Sequence, residues 1–103
     1  MVEKVEETLR TALNNWNAMS GAAGDEAEST AEAFEASFYK FIDALREWVE
    51  GLQDRPQTLE QYMELPLVKT IVDLLPAPLY LNFETESELI LDNITRIDED
   101  KVE

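Results

Sequence analysis

The feature that most constrains this chain is a row of apolar residues advancing alternately by four and three positions: Ala27, Ala31, Phe34, Phe38, Phe41, Leu45, Trp48 and Leu52. A shorter row of the same kind precedes it, formed by Val2, Val5, Leu9, Ala12, Trp16 and Met19. Such spacing keeps one apolar seam on one side of a helix and turns it toward a partner helix. Between the rows lies Ser20-Gly21-Ala22-Ala23-Gly24, whose glycines suit a helix stop and a turn. The pattern therefore predicts a helix over Val2–Met19 folded back against a longer one over Asp25–Leu52. Asp25 with Glu28 has the spacing of a capping box at the start of the second helix. The longer helix outruns the shorter, leaving Leu45, Trp48, Val49 and Leu52 at its far end. Burying such side chains is worth roughly 1.5–3 kcal/mol each, so the second half of the chain or a second copy is expected to cover them.

Gly51 and Asp54-Arg55-Pro56 close the long helix. Thr58 with Gln61 reads as a capping box opening a short helix that contains Leu59, Tyr62 and Met63. Pro66 suits the first position of a fresh helix reaching Leu75, the most apolar part of the chain. Pro76-Ala77-Pro78 is expected to be extended, because a residue before proline avoids the helical region. Leu79, Leu81 and Phe83 then alternate as in a short strand, which would need a partner for its backbone. Residues 85–97 admit two readings. One is a helix capped by Thr85 and Glu88, with Ile90, Ile94 and Ile97 on a face; the other is a hairpin turning at Asp92-Asn93. The expected fold is mostly α: a small helical bundle built on an antiparallel helical hairpin, with a short extended or β segment near the C-terminus. Residues 1–97 form the single helical domain and 98–103 an acidic tail.

Composition removes whole classes of chemistry. The chain has 103 residues, no cysteine and no histidine. A domain of this size buries roughly 65% of the surface its unfolded form exposes, enough for one core without metal or disulfide. Lacking both residue types, it cannot form disulfides, zinc sites of the usual kinds, Ser-His or Cys-His catalytic pairs, or histidine-held haem. The carboxylate-bridged metal pair of helical bundles needs Glu-x-x-His elements and fails for the same reason. A calcium loop counted from Asp92 places Ile94 and Ile97 where an oxygen ligand and a glycine are required. No phosphate-cradling glycine loop is present, the only glycines being Gly21, Gly24 and Gly51. Glu64 and Asp73 lie beside apolar runs and are the acids nearest to a tunable site, but an exposed acid beside a buried stripe accounts for both. No metal, cofactor or catalytic residue is assigned, and the chain is read as not an enzyme.

Charge narrows the partners. Twenty-three acidic residues against eight basic ones give a net charge of −15. Phosphate backbones and anionic membranes bind cations, so direct nucleic-acid or membrane binding is not expected. Basic protein surfaces or cations are the favourable partners. The N-terminus is acidic and amphipathic without the apolar core of a signal peptide, which together with the absent cysteines leads to a cytoplasmic expectation. The function expected is a non-catalytic protein-interaction or regulatory domain that forms a homodimer, two copies pairing the strand Leu79–Phe83 or joining seams through a twofold axis, with a basic protein as the other partner considered. The alternative is an acidic decoy that occupies a partner's basic nucleic-acid-binding groove. Candidate partner-binding residues are Glu28, Glu32 and Glu35 on the acidic part of the second helix, and Tyr39, Ile42 and Trp48 beside or at the end of its seam. Leu79, Leu81 and Phe83 of the expected strand complete the set. Self-repulsion at −15 predicts a melting temperature that rises from low to moderate salt, measurable by calorimetry; a steady fall would contradict it.

Overall fold

The computed structural model describes residues 2–21 and 24–101, with side-chain positions for all of these except Asp25 and residues 94–101. The described chain is mostly helical and contains no strand. It comprises α1 (Val2–Gly21), α2 (Asp25–Glu50), α3 (Leu59–Met63), α4 (Pro66–Leu74) and α5 (Ala77–Lys101). Two compact units divide it, residues 1–48 and residues 49–103.

The first unit is the expected hairpin, with α1 and α2 closely packed. Gly24 takes a left-handed φ of 67°, which a side chain would resist, and α2 starts on the next residue. The carbonyl of Gly24 accepts from Ala27 N at 3.2 Å; the Asp25 side chain of the expected capping box lies outside the described residues. The register of the antiparallel pair shows in three places. The Trp16 and Phe34 ring centroids are 5.3 Å apart. Asn15 Nδ2 donates to Ser37 Oγ at 3.0 Å and to Ala33 O at 3.3 Å. At the open end, Lys4 Nζ lies 3.3 Å from Glu47 Oε2. That ion pair is exposed on both sides, so Asn15 and the aromatics hold the register more firmly. From Trp16 the rings continue through Phe34, Phe38 and Phe41, with successive centroids 5.3, 5.7 and 6.1 Å apart. Trp16 and Phe34 are half-buried, whereas Phe38, Phe41 and Leu45 are buried.

The second unit begins at the end of α2. Arg55 Nη1 donates to Glu50 O at 3.2 Å, a cation meeting the unsatisfied carbonyls of a helix C-terminus. Thr58 caps α3 by accepting from Gln61 N at 3.1 Å. The return bond of this box comes from one residue earlier than the motif requires: Gln57 N donates to Gln61 Oε1 at 2.9 Å. Pro66 opens α4 as expected, and Leu75 leaves the helix with ψ 134° ahead of Pro76.

The C-terminal third corrects the sequence reading. The segment Leu79–Phe83 is helical, and α5 runs without interruption from Ala77. Pro78 falls in its first turn, where a missing N–H costs no hydrogen bond, so the extended preference at Pro76-Ala77-Pro78 does not propagate. The alternation of Leu79, Leu81 and Phe83 covers too few residues to set a period. Over the longer window the buried positions are Leu79, Phe83, Ser87, Ile90 and Leu91, a 3.6-residue stripe. A serine in its centre disguises that stripe. The same helix takes up the 85–97 stretch in place of a hairpin, and includes residues 98–101 of the expected tail. The side chains of Ile94 and Ile97 and both residues beyond Lys101 lie outside the described residues.

Ser87 is fully buried, and its hydroxyl donates to Tyr62 Oη at 3.0 Å. Tyr62 is also fully buried, and its ring lies 6.4 Å from that of Phe83. Burial pushes the Tyr62 hydroxyl up from 10.0 to about 12, against a smaller lowering by Ser87. Two expectations follow. In denaturant titrations, Tyr62→Phe should cost about 1–3 kcal/mol by leaving the Ser87 hydroxyl buried without its acceptor, and adding Ser87→Ala should recover part of the loss. The second concerns pH. The folded state holds the Tyr62 proton more tightly than the unfolded chain, so this contribution is complete below pH 10 and lost as pH rises toward about 12. Stability measured across that window should fall less steeply for Tyr62→Phe than for the parent.

Candidate interaction surface

The expected partner-binding residues separate into outward and inward sets once the helices are in place. On α2, Glu28, Glu32, Glu35 and Tyr39 follow at intervals of four, three and four, and all are exposed on one face. None of the three glutamates has a lysine or arginine three or four positions away. Tyr39 is 48% exposed and meets the Phe38 ring edge-on, with centroids 6.0 Å apart. The row continues into an exposed pair, Arg46 Nη2 to Asp43 Oδ1 at 3.2 Å. Ile42 stands at its margin but turns inward, only 6% exposed, and Trp48 is half-buried.

On α5, the three residues expected on one strand face part company. Leu79 and Phe83 are core residues, while Leu81 is 70% exposed. In a strand the three would share a side, whereas on a helix Leu81 lies far around the axis from the other two. Four and eight positions on, Thr85 and Leu89 are also exposed, Leu89 by 58%. Glu88 and Asp92 occupy the same outward face. Leu89 escapes the sequence reading because residues 85–97 have two open assignments there; the eight-residue interval from Leu81 is the signal that would reveal it. Leu74 at the end of α4 and Tyr80 near the start of α5 are further exposed large side chains.

Depressions among the described residues accompany these helices. In the first unit, one of about 200 Å³ is lined by Glu7, Thr8, Thr11, Ser37 and Lys40. Its threonine hydroxyls already donate within α1, Thr8 to Lys4 O at 2.7 Å and Thr11 to Glu7 O at 3.1 Å. In the second unit, one of about 290 Å³ lies between the start of α3 and α5, lined by Gln57, Thr58, Leu59, Glu88, Leu91 and Asp92. Its walls pair two carboxylates with two leucines.

Glu64 and Asp73 are both exposed. Among the described residues, no group of three or more acidic side chains is placed to hold a metal ion. None of the described helices is long and apolar enough to cross a membrane. No protein-family model, curated protein or solved structure matches the chain.

Proposed function

We propose that this chain is a non-catalytic protein-interaction domain whose partner presents a basic protein surface. What supports this is the outward row of α2, Glu28, Glu32, Glu35 and Tyr39. Like charges at such spacing cost an isolated helix about 0.2–0.5 kcal/mol per pair. A cationic partner surface relieves that cost on binding. Tyrosine adds apolar contact area with a polar tip and is enriched at interfaces. Of the two partners expected from the sequence, a basic protein and a second copy, this row favours the first. Two copies would set acid against acid. The strand through which copies were expected to pair is helical.

The decoy reading draws on the same row. Carboxylates repeating along a line at about 5–6 Å offer a basic groove a run of negative charge. Both readings are separated in one experiment. Affinity capture from lysate is run with the wild-type chain and with Glu28→Gln/Glu32→Gln/Glu35→Gln, and retained proteins are identified by mass spectrometry. The interaction reading expects one or more basic proteins held by the wild type and lost with the variant. The same proteins held by both chains would overturn it. Duplex DNA that displaces the chain from a retained partner would select the decoy reading; indifference to DNA would exclude it.

A further inference from the structure

We propose that the outward face of α5 docks a basic amphipathic helix of a partner protein, with a lysine or arginine of that helix seated in the depression between α5 and α3. The kind of partner rests on the interaction reading above, but the surface is a different one, in the second unit.

Three observations meet here. The first is the exposed ridge Leu81, Thr85, Leu89, spaced i, i+4, i+8. It spans about 12 Å of helix, two turns of apolar contact for another helix laid along it. The inward face of α5 is already occupied by Leu79, Phe83, Ser87, Ile90 and Leu91, so the ridge is not a core stripe waiting to turn in. The second is charge. Between Ala77 and Thr95 there is no lysine or arginine, and the acids are Glu84, Glu86, Glu88 and Asp92. A helix lying on this ridge needs cationic flanks, and a second copy of the chain would bring its own acids. The third is shape. The depression of about 290 Å³ opens beside the ridge, with Glu88 and Asp92 on its α5 wall and Leu59 and Leu91 among its lining. Leucines accept the methylene stem of a lysine or arginine while the carboxylates bind its head. Gln57 N and Gln61 N, at the start of α3, already donate to capping atoms, so they do not present their amides to that cation.

The test uses the full chain and a synthetic probe. The probe is a fluorescent helical peptide of about 14 residues, four turns, with leucines at i, i+4 spacing and lysine and arginine on the flanks. Its control replaces every cation by glutamate. Anisotropy titrations are run with the wild type, Leu81→Ala/Leu89→Ala, Glu88→Gln/Asp92→Asn, and the α2 variant Glu28→Gln/Glu32→Gln/Glu35→Gln. All the changes are at exposed positions, and far-ultraviolet circular dichroism checks that each variant stays folded. Each α5 variant should weaken binding by about tenfold or more, and the α2 variant by no more than about twofold. The glutamate control should not bind. Equal binding by the α5 variants and the wild type overturns the site. If the α2 variant alone loses binding, the site falls while the basic-partner reading stands. If the basic probe binds none of the proteins, both fall. Sedimentation showing wild-type dimers that Leu81→Ala/Leu89→Ala dissociates would assign the ridge to a second copy and overturn the proposal.

Discussion

The buried stripe of α5, in which Leu79, Phe83, Ile90 and Leu91 enclose the hydrogen bond from Ser87 to Tyr62, decides what the helix shows to its surroundings. A serine hydroxyl shut away from water needs a partner, and Tyr62 supplies one at 3.0 Å. Leu79, Phe83, Ile90 and Leu91 are buried on the same side of the helix, and Ser87 among them is tolerated there because its hydroxyl is satisfied. Leu81 and Leu89 are thereby committed to the outside. The position of the exposed ridge is the geometric complement of that buried stripe. Tyr62 is suited to the position because its ring lies buried near Phe83 while its oxygen meets Ser87.

The hairpin of the first unit works on the same logic with different chemistry. Phe34 of α2 meets Trp16 of α1, and Asn15 binds Ser37 and the Ala33 carbonyl across the interface. Apolar seams alone tolerate sliding by a turn, whereas a polar contact is satisfied in one register. With the seam of α2 held inward, Glu28, Glu32, Glu35 and Tyr39 are necessarily outward. Both candidate surfaces thus arise as the far sides of helices whose inner faces are fully specified.

Charge then gives those far sides a common character. With 23 acidic residues against eight basic ones and a net charge of −15, acids outnumber bases among the charged residues of the chain. Acids alone would mark only solubility. The distinguishing feature is that large apolar side chains stand among them: Tyr39 on α2, Leu81 and Leu89 on α5. Scattered exposed apolar residues are ordinary on proteins, but aligned ones bordered by a single sign of charge are the surfaces that amphipathic segments of opposite charge match.

Much of the helical framework was legible in the residue order. The seams of α1 and α2 each persist over several turns, so period and direction were both readable from Val5, Leu9, Trp16, Phe34, Phe38 and Phe41. Gly24, the Thr58–Gln61 cap and Pro66 marked boundaries because each acts through its own backbone conformation or nearest neighbours. The acidic row of α2 was equally readable, since a helix already placed by its seam leaves no choice about its other face. Residues 77–93 were not legible in this way. Five alternating residues mimic a strand as readily as a helix, and Ser87 breaks the apolar stripe that would have revealed the longer period. Whether a serine lies inside or outside depends on a hydroxyl twenty-five positions earlier, the Tyr62 oxygen. Local order along the chain therefore determined the helices of the hairpin, the cap of α3 and the sign of the surface charge, because those follow from neighbours within a few turns. Only the tertiary structure decided which side of α5 is core and that Leu81 stands opposite Leu79 and Phe83, because a buried polar pair is defined by its partner and not by its place in the sequence.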